Sequence, residues 1–206
     1  MSKRRIVTLF SGGIDSMVMT EEALQRGDLA ATLFVYYGQA NCDAEARAVG
    51  RWHDFHGNEV PRRWVTSTKL WGLGEMNAPP KARGPRIVPA RNLVLISLAV
   101  NLAASIGATE VQLGATADDQ EMYADCRQSF AKMLSDITVP LFDVAVVFPF
   151  ASLTKRQVAE RGVRIGVPLE HAWSCYAPAP PNWEPCGKCD ACILRQKATA
   201  ALWGQQ

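Results

Sequence analysis

The 206-residue chain predicts a doubly wound α/β fold: a mainly parallel sheet covered by helices on both faces, with a C-terminal zinc-binding segment. Three observations carry this expectation. Short apolar, β-branched runs alternate with helix-period runs along most of the chain. The first apolar run turns through Ser11-Gly12-Gly13-Ile14-Asp15-Ser16 straight into a helical pattern. Four of the six cysteines lie from position 175 onward. Alternating strands and helices bury both faces of a parallel sheet, and right-handed crossovers put ligands at the C-terminal strand ends.

The elements follow in order. Residues 6–10 read as a strand and 17–25 as the helix it feeds. Residues 29–37 are β-rich and stop at Gly38. Residues 42–55 carry Ala46, Val49 and Trp52 at helical spacing. Residues 60–66 read as a strand with Pro61 near its start. Residues 67–88 hold Gly72, Gly74, Pro79, Pro80, Gly84 and Pro85, which predicts a long loop of the kind that forms lids or binding segments. Residues 92–106 are rich in Ala and Leu and end at Gly107, predicting a buried helix. A short strand at 110–113 closes at Gly114. A helix at 123–134, a strand at 144–148 and a short helix at 154–162 follow. From Pro168 the chain turns Pro- and Cys-rich, which divides it into a nucleotide-binding body, 1–167, and a zinc-binding tail, 168–206, packed on it. The loops 11–16, 38–41 and 114–119 follow the first, second and fourth strands and are expected to converge.

Composition narrows the function. Hydrophobic residues make up 48%, enough for a real core. The 22 Lys and Arg against 20 Asp and Glu leave a net charge of +2, too small to point to nucleic acid. Arg4-Arg5 and Arg62-Arg63 are only small basic pairs. No apolar run approaches the length of a membrane span. The N-terminus reads as a strand, not a signal peptide. A cytoplasmic protein with no membrane or nucleic-acid partner is expected.

A strand that turns tightly into a helix N-terminus makes an anion site, because the first N–H groups of the helix have no internal partner and the dipole favours negative charge. Gly12 and Gly13 let a phosphate approach the backbone, and Ser11 and Ser16 add hydroxyls. The turn lacks the Gly-Lys-Ser/Thr of a Walker A loop and the spacing of Gly-x-Gly-x-x-Gly. It resembles the PP-loop of the ATP pyrophosphatases, in which the loop holds the pyrophosphate end of ATP while an oxygen nucleophile attacks the α-phosphorus. A ligand-free Gly-Ser turn is the alternative.

Cys186-Gly-Lys-Cys189-Asp-Ala-Cys192 is two overlapping C-x-x-C steps, with Cys175 upstream across a Pro-rich loop. Four thiolates can close a tetrahedral zinc site with no open position, hence a structural one. An iron–sulfur cluster is the rival, since thiolates suit both. His171 is either an extra ligand or a structural histidine.

Separated segments then agree on a family. They are 11–16, Tyr37-Gly38-Gln39, Val88-Pro89-Ala90-Arg91-Asn92, Tyr123-Ala-Asp125-Cys126-Arg127-Gln-Ser-Phe130, Trp173-Ser174-Cys175-Tyr176, and the cysteine knuckle running on to Arg195. Together they resemble the 7-cyano-7-deazaguanine synthase (QueC) family, which has the PP-loop, adenine-nucleotide alpha-hydrolase-like fold. The resemblance implies ATP-dependent conversion of 7-carboxy-7-deazaguanine and ammonia to the nitrile, through an adenylated carboxylate and an amide. It implies ATP and Mg²⁺ as cofactors besides the structural Zn²⁺, and a homodimer.

By the same resemblance, Ser11, Gly12, Gly13, Asp15 and Ser16 hold the ATP phosphates, with Tyr37, Gly38 and Gln39 beside the nucleotide. Asp15 next to phosphates needs either a metal or a helix-capping role. Asp15, Arg91 and Lys155 are the catalytic candidates, Lys155 as a phosphate clamp unless it is a surface lysine. Arg91 and Asn92 border the substrate pocket or form a solvent pair at a helix start. Asp125 and Arg127 read the deazaguanine or its carboxylate. Phe130 stacks on the base or belongs to the core. Cys126 is a pocket or core residue, since adenylation needs no thiol. The chain departs from the family pattern at Asn41, usually histidine, at Ala90, usually glycine, and at Glu121-Met122-Tyr123-Ala124, usually Ser-Gly-Tyr-Pro. These departures fall on the substrate wall. A ligase that stops at the amide or adenylates another carboxylate, and a PP-loop tRNA-modifying enzyme, are the alternative activities. A zinc-knuckle nucleic-acid-binding module is the alternative from another class.

Overall fold

The structure, a computed structural model, describes residues 4–66, 70, 88–177 and 184–200. Five strands, β1 (Ile6–Leu9), β2 (Leu29–Tyr36), β3 (Arg62–Thr66), β4 (Glu110–Gln112) and β5 (Ala145–Val147), form one sheet in the order β3-β2-β1-β4-β5. Every neighbouring pair is parallel. The chain moves outward from β1 to β3, then returns to β4 on the other side of β1. Strand order therefore reverses beside β1, the position where open α/β sheets open a crevice for ligands.

Helices α1 (Ile14–Gln25), α2 (Cys42–Phe55), α3 (Arg91–Ser105), α4 (Ala117–Met122), α5 (Gln128–Phe142), α6 (Lys155–Arg164) and α7 (Asp190–Thr199) cover the sheet. Alternation along β1 decides which side each residue serves. Val7 and Leu9 join one core with Ile96, Val100 and Ala103 of α3, while Thr8 faces α1 and accepts the Thr20 hydroxyl at 3.0 Å. The opposite core joins Phe10, Met17 and Val18 to Trp52 of α2, Val158 of α6, and Trp173, Cys175 and Cys192 of the tail. The cysteine segment thus shares a core with the body.

Several boundaries differ from the sequence expectation. α1 begins at Ile14 because Gly13, extended at φ −76° and ψ 161°, is its N-cap. The helix expected at 123–134 is displaced to Gln128–Phe142: Ala124–Cys126 form a 3-10 turn, and Arg127 is extended before the helix starts. Pro140 sits inside that helix, which closes on Asp143 in the left-handed region. The unexpected α4 is nucleated by a capping box between Thr116 and Asp119. Helix α7, also unexpected, starts from Cys189 as its N-cap, inside what reads in sequence as a ligand motif. The long loop expected at 67–88 lies outside the described residues except for Leu70 and Val88.

Candidate functional site

The β1–α1 turn is shaped by its two glycines in different ways. Gly12 has φ +75°, and a Cβ there would lie 2.8 Å from Ala48 Cβ and 3.0 Å from the Glu45 carbonyl oxygen. Gly12 is therefore set by the close approach of α2. Gly13 caps α1 without a side-chain hydrogen bond, so the first turn of the helix presents its N–H groups uncapped. The two serines also divide. Ser16 is buried and donates its hydroxyl back to the Gly13 carbonyl at 2.9 Å. Ser11 is exposed, and its hydroxyl stays within the turn, accepting the Gly13 N–H at 3.4 Å and lying 3.3 Å from the Ser16 hydroxyl. Gly114, after β4, completes the convergence: a Cβ there would stand 3.2 Å from the Ser16 nitrogen.

Three helix starts bring charges to this turn. Lys155 Nζ, on the first residue of α6, donates to Asp15 Oδ2 at 2.8 Å and to Asp119 Oδ2 at 3.1 Å. Its backbone N–H donates to Asp118 Oδ2. Lys155 is therefore no free surface lysine. Burial works against its charge, but Asp15 and Asp119 outweigh it and hold the ammonium firmly protonated. Burial raises the Asp15 carboxyl above the ordinary range, with Lys155 opposing. Asp15 Oδ1 is buried without a hydrogen-bond partner. An unpartnered carboxylate oxygen in the first turn of α1 fits a hard divalent cation such as Mg²⁺. Asp119 went unseen as a site residue. Its sequence signal is the Thr116-x-x-Asp119 capping box.

The β2–α2 turn is a buried polar cluster. Gln39 Oε1 accepts the Tyr37 N–H at 2.9 Å, and its amide donates to the Val35 carbonyl and to Glu45 Oε2. Gln39 is thus a strut of the turn with both ends of its amide engaged. Asn41 donates to Glu45 Oε1 at 3.0 Å and to the Cys175 carbonyl at 3.3 Å. Burial pushes the Glu45 carboxyl up to about 7 from 4.5, with the Gln39 and Asn41 donors opposing. Over that interval the native protein binds more protons than the unfolded chain, so this group makes stability fall as pH rises from about 4.5 to about 7. Glu45→Gln is expected to remove that part of the slope, about 3 kcal/mol. Urea melts of both proteins at the two pH values check it.

A cavity of ≈ 260 Å³ opens beside the turn, lined among others by Val88, Ala90, Arg91, Met122, Tyr123 and Asp125. Ala90 adopts φ 56° as the N-cap of α3, a left-handed conformation that costs alanine about 1 kcal/mol and glycine almost nothing. The Arg91 guanidinium is hydrogen-bonded to Tyr37; burial opposes its charge, but Tyr37 more than compensates. Asn92 is buried, and its amide donates to the Asp125 carbonyl at 3.2 Å. The Arg91-Asn92 pair is therefore no solvent pair: the two residues hold the cavity wall. Asp125 is in that wall. Arg127 is exposed, lies outside the lining, and donates Nε to the Gln120 carbonyl at 3.3 Å. Phe130 is half-buried against the α3-side core. Burial raises the Cys126 thiol to about 12, with Asp119 and Asp125 adding to it, so it stays neutral.

The four cysteines meet beside the core that holds Phe10 and Trp52. The Sγ atoms of Cys175, Cys186, Cys189 and Cys192 all lie within 4.8 Å of one another. A zinc–sulfur distance of about 2.3 Å needs tetrahedral edges of roughly 3.8 Å, so a small contraction closes the site. The donor set fits a cation. Cys175 Sγ accepts backbone N–H groups from Ala177 at 3.3 Å and Cys186 at 3.2 Å. At Cys186 burial opposes ionisation, but the N–H groups of Lys188 and Cys189 and the neighbouring thiols bring it down to about 7. Burial raises Cys175 and Cys192, and a dication reverses that balance. His171 stands apart, its ring 6.4 Å from that of Phe55.

A parallel sheet with a glycine turn at its reversal point, an uncapped helix start and a lysine between two carboxylates defines a PP-loop-type α/β protein. The fold matches U34-tRNA thiolase NcsA from Methanococcus maripaludis with a TM-score of 0.55 at 14% identity, over 99% of this chain and 67% of that one. The family is shown by sequence: the model described as "Queuosine biosynthesis protein QueC" matches residues 5–202, and the chain belongs to that family. Relatives named 7-cyano-7-deazaguanine synthase include one from Gloeothece citriformis, 32% identical over 96% of this chain and 92% of its own length. Another, from Haloarcula marismortui, is 33% identical over 94% of this chain and 89% of its own. Among the described residues no helix is long and apolar enough to cross a membrane.

Proposed function

We propose that the protein is an ATP-dependent carbon–nitrogen ligase that converts 7-carboxy-7-deazaguanine and ammonia to 7-cyano-7-deazaguanine. The observation that carries this reading is that one side chain, Tyr176, interacts electrostatically with Lys155 and Asp119 and also with Arg91 and Tyr123, which joins two places. One is the uncapped start of α1 with Asp15 and Lys155. The other is the small cavity walled by Arg91 and Asp125. The first suits a polyphosphate and the second a small polar bicycle bearing a carboxylate.

A carboxylate resists ammonia because hydroxide leaves poorly. In the proposed reaction its oxygen attacks the α-phosphorus of ATP and pyrophosphate departs. Ammonia then attacks the acyl carbon, AMP leaves, and an amide forms. A second ATP activates the amide oxygen; loss of AMP and two N–H protons leaves the nitrile. Backbone N–H groups of the α1 start and the Lys155 ammonium face the charge that grows on the departing pyrophosphate. Mg²⁺ at Asp15 Oδ1 would supply further neutralisation there. Arg91, oriented by its hydrogen bond with Tyr37, would hold the acid oxygen, and Asp125 would accept N–H donors of the guanine-like edge. Zinc at the four cysteines would be structural. The exposed face of α5, with Met133, Ile137 and Leu141 one turn apart, supports the homodimer as part of this reading.

Product mass spectrometry after mixing the protein with ATP, Mg²⁺, ammonium and the deazaguanine acid tests the proposal. Nitrile supports it, amide alone limits it to the first half, and unchanged acid with no AMP overturns it. Asp125→Asn is expected to weaken acid binding by about tenfold and ATP binding by less than about twofold. Arg127→Ala, outside the cavity wall, is expected to have the smaller effect on the acid. Calorimetric titration of each ligand checks both.

A further inference from the structure

We infer that Arg195 and Asn41 are positioning residues that tie the four-cysteine site to the glycine turn, so that metal and nucleotide strengthen each other's binding. The inference rests on the proposal that ATP binds at that turn. The link is the segment from Leu169 to Cys175, which has no ladder partner in the sheet and only a 3-10 turn at Leu169–His171. Its path is fixed by what holds it at each end. At one end the Arg195 guanidinium, on α7, donates to the carbonyls of Ala172 and Leu169. Helix α7 is itself the metal-site helix, capped by Cys189 and carrying Cys192. At the other end is Cys175, a member of the cluster, whose carbonyl accepts the Trp173 indole N–H at 2.7 Å and the Asn41 amide at 3.3 Å.

Between these anchors the segment touches the turn directly. The Trp173 backbone N–H donates to the Gly12 carbonyl at 2.8 Å, and a Cβ on Gly13 would lie 3.5 Å from the Trp173 carbonyl oxygen. Asn41 adds a second route through Glu45, whose own carbonyl borders Gly12. Closing four thiolates on a metal fixes Cys175 and α7 together, and so fixes the peptide that orients Gly12. Binding linkage then works in both directions. Neither Arg195 nor Asn41 is one of the four clustered cysteines or part of the 11–16 turn. Arg195 acts through Trp173, Asn41 through Cys175 and Glu45, and both routes end at Gly12.

Equilibrium competition for zinc between the full-length protein and a colorimetric chelator, with and without ATP, tests the inference. Excess Mg²⁺ keeps free ATP from competing for zinc, and calorimetry measures ATP binding to the same sample. Saturating ATP is expected to raise zinc affinity at least about fivefold. Arg195→Ala and Asn41→Ala are each expected to cut that factor below about twofold while far-ultraviolet circular dichroism of the zinc-loaded protein is unchanged. If ATP binds and zinc affinity does not move, the coupling is wrong and the reading of the turn stands. If ATP does not bind, both fall. Full coupling in both variants removes these residues from the link; should one variant not fold, the other and the unsubstituted protein still decide.

Discussion

Cys192→Ser is expected to lose the bound metal and to lower stability by about 3–5 kcal/mol, more than a surface substitution could. Cys192 is buried in the core that holds Trp173, Phe10 and Val158. Its replacement removes one of four thiolates and leaves a hydroxyl among apolar groups. Three thiolates with an open position bind zinc more weakly, and the desolvated thiol at Cys175 loses the cation that favours its ionised form. The damage should fall first on the segment from Leu169 to Thr199, because α1, α2 and the sheet keep their own packing. Elemental analysis should fall from about one zinc per chain to near zero. Urea unfolding should lose its single transition, with tryptophan fluorescence changing before the sheet unfolds. Full zinc content in the variant would reject the four-thiolate site, and iron in the native protein would replace zinc with a cluster.

What was legible in the sequence follows from where local signals act alone. Strands β1, β2 and β3 are short apolar or β-rich runs bounded by turn residues, and each stands where periodicity put it, within a residue or two. The turn after β1 was readable because its hexapeptide is dense in small residues. The knuckle was readable because ligand spacing is a one-dimensional property. The rest depends on contacts across the fold. Helix α5 was displaced because Tyr123 to Arg127 looks helical in composition, yet the segment is held as a 3-10 turn by Asn92 from a distant helix. Asp119 and Glu45 were missed because single carboxylates on helices read as solvated charges. The approach of Lys155 ties Asp119, otherwise a local cap with Thr116, to the site, and Gln39 with Asn41 does the same for Glu45. Ser16 could not be told from Ser11 without knowing which one α1 turns inward.

The two glycines of the turn are expected to fail in opposite ways when each is replaced by alanine. For Gly12→Ala the backbone sits at φ +75°, and the new methyl would meet Ala48 Cβ at 2.8 Å and the Val49 nitrogen at 3.1 Å. The left-handed strain and the overpacking against backbone together cost about 3 kcal/mol, since α2 can retreat only by disturbing Trp52. In a domain of this size that lowers the melting temperature by roughly 10 °C. Gly13 has an extended backbone, and its added methyl would meet nothing closer than 3.5 Å. Gly13→Ala should therefore stay within about 1 kcal/mol of the native stability. Its methyl, however, stands beside the uncapped N–H groups of α1, where the polyphosphate is proposed to lie. ATP affinity is expected to fall at least about tenfold in Gly13→Ala with the fold intact. Differential scanning calorimetry and nucleotide titration of the two variants separate the effects. A Gly13→Ala protein that binds ATP normally would move the phosphates away from this turn, because no contact in the fold itself requires glycine there.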